Sequence, residues 1–108
     1  MHVDPAAEKR RAAAVAAFLG AGMHSPPSTA LLVTALANAR GSVAMHQARG
    51  LPVDEWLAGE VRLRGIRENA AVLAVLELPG RREEAAQAYR QQHRDRAGVL
   101  SELLDALT

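Results

Sequence analysis

The feature that most constrains the fold is the segment of residues 53–78, where seam positions recur at alternating steps of three and four residues. This spacing is typical of one face of a helix and of a heptad seam. Residues 70–76 are apolar at every position, and a helix that is apolar all round is buried all round. The segment predicts one continuous helix from about 53 to 78, with a seam formed by Trp56, Gly59, Leu63, Ile66, Ala70, Leu73 and Glu77.

The remaining apolar side chains favour helices over sheets. Ala and Leu dominate them, while aromatic residues make up 3% of the chain. Ala, Leu, Arg, Glu and Gln are strong helix formers, whereas pleated sheets need β-branched and aromatic side chains. The composition therefore predicts an all-α protein and argues against a sandwich, a barrel or a Rossmann-like domain.

Glycine and proline residues divide the chain into four predicted helices. The first opens at Asp4-Pro5 and runs to about Leu19, because a capping residue before proline is a helix start. The second is capped by Ser25 or Ser28 and runs to about residue 49, and the last spans 81–107. Short turns between long helices predict an antiparallel four-helix bundle, with residues 1–108 in a single domain.

Charge and cysteine content exclude several classes of function. The chain has 13 basic and 12 acidic residues, a net charge of +1, so no strong field attracts nucleic acid or a membrane. It contains no cysteine, which excludes disulfides, thiolate zinc sites and cysteine nucleophiles. No stretch approaches the ~18 apolar residues of a membrane span. We expect a cytoplasmic protein.

Two histidines are candidates for a buried polar site. His46 continues the apolar stripe of the second helix, and His93 continues that of the fourth. If these helices face each other, the imidazoles could meet inside the bundle; alternatively, each is hydrogen-bonded to a carbonyl at the edge of its stripe. No Glu-x-x-His or His-x-x-x-His spacing is present, so we expect no metal site and no cofactor.

Arg40 is followed by five residues and then His46. This spacing resembles the arginine–histidine motif of HEPN-type ribonucleases, which are built on small helical bundles. The resemblance implies RNA cleavage by this pair of residues at a dimer interface.

Residues 43–64 also fit a degenerate helix-turn-helix. Gly50 would be the turn glycine, residues 52–57 would open the recognition helix, and Arg62, Arg64 and Arg67 would contact phosphates. Against this, Asp54 and Glu55 at the start of that helix repel DNA phosphates. A DNA-binding regulator is therefore an alternative hypothesis.

The function that the sequence favours is a non-catalytic interaction, regulatory or assembly protein. A second apolar face, which includes Val72 and Leu76, flanks the heptad seam, and one monomer has few large side chains left to cover it. A symmetric pair would bury such a face. We expect a homodimer or higher oligomer, with another protein as a further possible partner. The expected interface is Trp56, Gly59, Leu63, Ile66, Val72 and Leu76.

Overall fold

The computed structural model describes residues 4–108, and all regular structure in this range is helical, as predicted. Residues 1–3 of the predicted domain lie outside the described residues. A 3₁₀ turn, Arg94–Arg96, precedes the last helix. The α-helices are α1 (Pro5–Leu19), α2 (Thr29–Ala48), α3 (Val53–Arg62), α4 (Gly65–Leu76), α5 (Arg82–Gln92) and α6 (Ala97–Leu107).

The first two helices begin where the capping residues predict. The Asp4 carboxylate accepts a hydrogen bond of 3.0 Å from the backbone N–H of Ala6, ahead of Pro5 at the first helical position. For α2 the cap is Ser28, whose hydroxyl oxygen accepts from the N–H of Leu31 at 3.2 Å. Both helices end within one residue of the predicted boundary.

The predicted continuous helix over 53–78 is wrong, because the chain breaks between α3 and α4. Arg64 has φ 59° and ψ −176°, and Gly65 has φ 60°. Two successive residues with positive φ cannot continue a right-handed helix. Across the break, Arg67 donates to both carboxylate oxygens of Glu60 at 3.1 Å each, which fixes α3 relative to α4.

The predicted last helix is also interrupted. His93 has φ −134° and ψ 72°, outside the helical region, and the 3₁₀ turn follows it. Its imidazole is held by Glu68, which lies 25 residues earlier in the chain. The described range thus contains six α-helices in place of the four predicted.

Helix α4 lies at the centre of the packing. All nine residues of 68–76 are buried, and α1, α2, α3 and α5 all pack against this helix. Helix α6 packs mainly on α1. The core is completed by Phe18 and Leu19 of α1, Leu36 and Val43 of α2, Tyr89 of α5, and Leu100 and Leu103 of α6.

Replacing Arg64 by glycine tests the strain at the α3–α4 break. The φ and ψ of Arg64 fall in a region that essentially only glycine occupies, at a cost of about 1–3 kcal/mol for other residues. Part of the gain is offset by the greater freedom of glycine in the unfolded chain. We expect Arg64→Gly to raise the free energy of unfolding by about 1 kcal/mol in urea denaturation.

The matched control is Arg62→Gly, because Arg62 is an exposed helical arginine two residues earlier. This variant should lower the free energy of unfolding by about 0.5–1 kcal/mol. Equal decreases in the free energy of unfolding of Arg64→Gly and Arg62→Gly would show that the backbone at Arg64 is not strained.

Candidate functional site

The main concentration of ionisable side chains is a buried polar cluster at the start of α4. Glu68 is 1% exposed, Asn69 is fully buried and His93 is 8% exposed. Buried polar groups are costly unless they are hydrogen-bonded, so the partners of these side chains decide what the cluster does.

Glu68 is held by side chains from the end of α5. Its Oε2 atom lies 2.9 Å from Nε2 of His93 and accepts a hydrogen bond from the Gln92 amide at 3.0 Å. The guanidinium of Arg64 approaches the same oxygen at 4.0 Å. The carboxylate therefore fastens α4 to the point where α5 ends.

Asn69 joins α4 to the loop that follows α1. Its amide nitrogen donates to the carbonyl oxygens of Leu19 and Ala21, at 2.9 and 3.0 Å, and its oxygen accepts from the Tyr89 hydroxyl at 3.4 Å. Two backbone carbonyls that the end of α1 leaves without helical partners are satisfied in this way.

Arg96 completes the cluster. Its Nη1 donates to the Tyr89 hydroxyl at 3.3 Å, while its Nε is buried without a hydrogen-bond partner. The guanidinium lies directly over Gly22, at a position where any Cβ would clash with it. Gly22 has φ 79°, which favours glycine there, and any side chain at this position would also require the guanidinium to move.

The cluster contains the groups used in acid–base chemistry, but each of them connects two segments of the chain. Within residues 4–108, none of its members lines the cavity between α2 and α3–α4, the one between α3 and α5, or the one between α1 and α6. Residues 4–108 contain no grouping of three or more His, Asp or Glu side chains suited to a metal ion. The observed contacts of these side chains connect α4 with the loop after α1 and with the end of α5.

The two predicted histidines have separate partners. His46 Nδ1 lies 2.7 Å from the Ser42 carbonyl oxygen, and its ring centroid is 6.0 Å from that of Trp56. His93 contacts Glu68 and Tyr89 instead. His46 therefore fits the expectation of a hydrogen bond to a carbonyl. The contact between His93 and the carboxylate of Glu68 was not predicted from the sequence.

The predicted oligomer interface is divided by the break between α3 and α4. Gly59 and Leu63 are exposed, and Leu63 retains 56% of its surface. Trp56 and Ile66 are half-buried. Val72 and Leu76 are buried inside one chain, so the premise of an uncovered second face on this helix is wrong.

Arg40 and His46 face different neighbours. Arg40 makes a two-pronged ion pair with Glu77, with its Nε and Nη2 atoms 2.9 and 2.7 Å from the carboxylate. His46 contacts its own helix and Trp56. The arginine is therefore engaged in fastening α2 to the end of α4.

The residues of the helix-turn-helix hypothesis also have structural contacts. Gly50 has φ 66° in the turn between α2 and α3, as that motif requires. Asp54 pairs with Arg81 at 2.7 Å, and Glu55 is exposed beside it at the start of α3. Exposed acidic side chains at this end of a helix oppose contact with phosphates.

Comparison of the chain with family models, curated protein sequences and solved structures finds no match. Among the helices of the described range, none has both the length and the hydrophobicity required to cross a lipid bilayer.

The titration of Tyr89 tests the buried cluster directly, because this residue is the single tyrosine of the chain. Burial raises the pKa of Tyr89 above its ordinary value near 10, and the hydrogen bond from Arg96 lowers it in part. The unfolded chain loses this proton at lower pH than the native chain. Stability should therefore fall as the pH rises above about 10 and through the folded-state pKa.

Ultraviolet absorbance of the phenolate measures this titration in native protein and in urea. The native midpoint should lie above the unfolded one, and Arg96→Gln should raise it further because the arginine favours the phenolate. A native midpoint at or below the unfolded value would contradict the burial of this hydroxyl.

Proposed function

We propose that the protein is a non-catalytic helical interaction protein that associates with a second copy of itself through the outer face of α2. The observation that carries the proposal is a long exposed helix face with almost no charge. A helix surrounded by water normally presents charged and polar residues on its outer side.

The centre of this face is a row of small residues at steps of four, three, four, three and four. All of them are exposed, and a Cβ at Gly41 would meet no other atom within 4 Å. Larger apolar side chains flank the row, with Val33 62% and Met45 42% exposed. We call the row the α2 seam; it consists of Ala30, Thr34, Ala37, Gly41, Ala44 and Ala48.

The charge on this side of the helix supports a second copy as the partner. Arg40 is the one Asp, Glu, Lys or Arg residue among residues 29–48. Glu77 of the same chain neutralises it through the two-pronged ion pair. A charged partner finds no complement here, whereas a two-fold pairing places the same neutral seam against itself.

Helix α2 is long enough to pair with a second copy over several turns. Its 20 residues span about 30 Å at 1.5 Å per residue. Small side chains allow two helix axes to approach to about 8 Å, where the flanking Val33 and Met45 also come into contact.

The proposal keeps the predicted self-association but moves its location. The interface expected from the sequence used Val72 and Leu76, which are already covered within one chain. The α2 seam leaves the core intact, so association does not require any rearrangement of the monomer.

Sedimentation equilibrium of a seam variant tests the proposal. Wild-type protein at micromolar concentration should have at least twice the chain mass of 11.5 kDa. Ala37→Glu places a carboxylate at the centre of the seam, where pairing would bury it without a partner, so this variant should be a monomer. Its helix content by circular dichroism should be unchanged, because Ala37 is exposed in the monomer.

Ala12→Glu is the matched control, since Ala12 is also an exposed alanine within a helix, on α1. This variant should sediment like the wild type. Wild-type protein that remains monomeric up to about 1 mM would contradict the proposal. A dissociation constant of that size corresponds to a binding free energy of only about 4 kcal/mol. A dimer that Ala37→Glu leaves intact would contradict the assignment to α2.

A further inference from the structure

A cavity of about 280 Å³ lies between α2 on one side and α3 and α4 on the other. All of its walls come from one chain, so it does not depend on self-association. Six α2 residues face five residues of the other two helices. The polar and aromatic side chains of the lining are Thr34, Asn38 and Ser42 on α2, and Trp56, Glu60 and Arg67 on the opposite side.

The α2 wall presents three hydrogen-bonding side chains at steps of four residues, in a helix that is otherwise largely apolar. They are Thr34, Asn38 and Ser42. Within residues 4–108, none of these side chains makes an intramolecular hydrogen bond, although the Ser42 carbonyl is used by His46. Hydroxyl and amide groups both donate and accept, so the wall offers unused donors and acceptors.

The charged groups of the cavity neutralise each other. Arg67 donates to both oxygens of Glu60, whose side chain is 16% exposed. No cation is left free at the wall for a phosphate or a carboxylate, and Glu60 would repel either group. The cavity is therefore suited to an uncharged ligand.

Trp56, which is half-buried, lines the same cavity, where Leu31 and Ile66 add apolar contacts. Flat rings stack on tryptophan, and an asparagine amide pairs with the donor and acceptor edge of adenine. The volume lies just below the range of about 300–1,000 Å³ typical of drug-sized ligands. It is therefore suited to one small ring system.

We propose that the cavity between α2 and α3–α4 binds an uncharged planar heterocycle of the nucleobase class. Trp56 stacks on the ring, Asn38 pairs with its polar edge, and the hydroxyl of Ser42 binds a remaining polar atom, while Thr34, which also belongs to the α2 seam, only borders the site.

The fluorescence of Trp56 tests this proposal without any label, because it is the single tryptophan of the chain. Titration with adenine or adenosine should change the emission along a saturable curve. Adenosine monophosphate should bind more weakly than adenosine, since its phosphate finds no free cation. Glucose should leave the emission unchanged, since it presents no planar ring.

Asn38→Ala should raise the dissociation constant for adenine about tenfold, the loss expected for one paired contact to a base edge. Gln91→Ala is the matched control, because it removes an exposed amide on α5, away from the cavity, and should bind like the wild type. Ala37→Glu should also bind like the wild type, which separates this proposal from the association of α2.

Four results would overturn the proposal. They are the absence of a saturable change with the nucleobases, an equal response to glucose, tighter binding of the monophosphate, or unaltered binding of adenine by Asn38→Ala.

Discussion

The structure depends on the burial of two polar side chains, Glu68 and Asn69, at the start of a helix that is covered on nearly all sides. A buried polar group without a partner costs about 1–3 kcal/mol, and an unpaired charge costs more. Their partners come from the loop after α1 and from the end of α5. The hydrogen bonds of these two residues therefore fix two separate segments of the chain, the loop after α1 and the end of α5, against α4.

Both interruptions of the long predicted helices adjoin this cluster. The break at Arg64 and Gly65 lies four and three residues before Glu68, and it includes a positive φ at a non-glycine residue, Arg64. The break at His93 turns the chain so that α6 packs mainly on α1. Helix α2 remains at the outside, with one side on α4 and the other side uncovered.

Much of this fold can be predicted from local sequence, because caps and periodicity act over a few residues. Asp4-Pro5 and Ser28 mark the beginnings of α1 and α2, and the apolar run over 70–76 marks the buried centre. Gly65 was a visible signal for the first break, since an interior glycine weakens a helix. The break at His93 has no local signal, because it depends on a carboxylate 25 residues away.

The residues of the candidate sites could be predicted only in part from the sequence, for the same reason. The place of His93 on an apolar stripe marks it as a candidate, whereas Glu68, two residues before the fully apolar run, was not predicted as its partner. The lack of charge over residues 29–48 was visible in the sequence. The packing of α3 and α4 decides which side of α2 stays uncovered. The periodicity of the α2 sequence alone does not predict that side.

Disulfide cross-linking between two copies tests the central claim that α2, and not the α3–α4 segment, is the surface of association. The chain has no cysteine, and Gly41 on α2 and Gly59 on α3 are both exposed with open space at the Cβ position. Gly41→Cys and Gly59→Cys are therefore equivalent probes, each introducing a single thiol. Under mild oxidation at micromolar concentration, Gly41→Cys should form covalent dimers much faster than Gly59→Cys. Faster cross-linking of Gly59→Cys, or equal slow rates for both variants, would contradict the account.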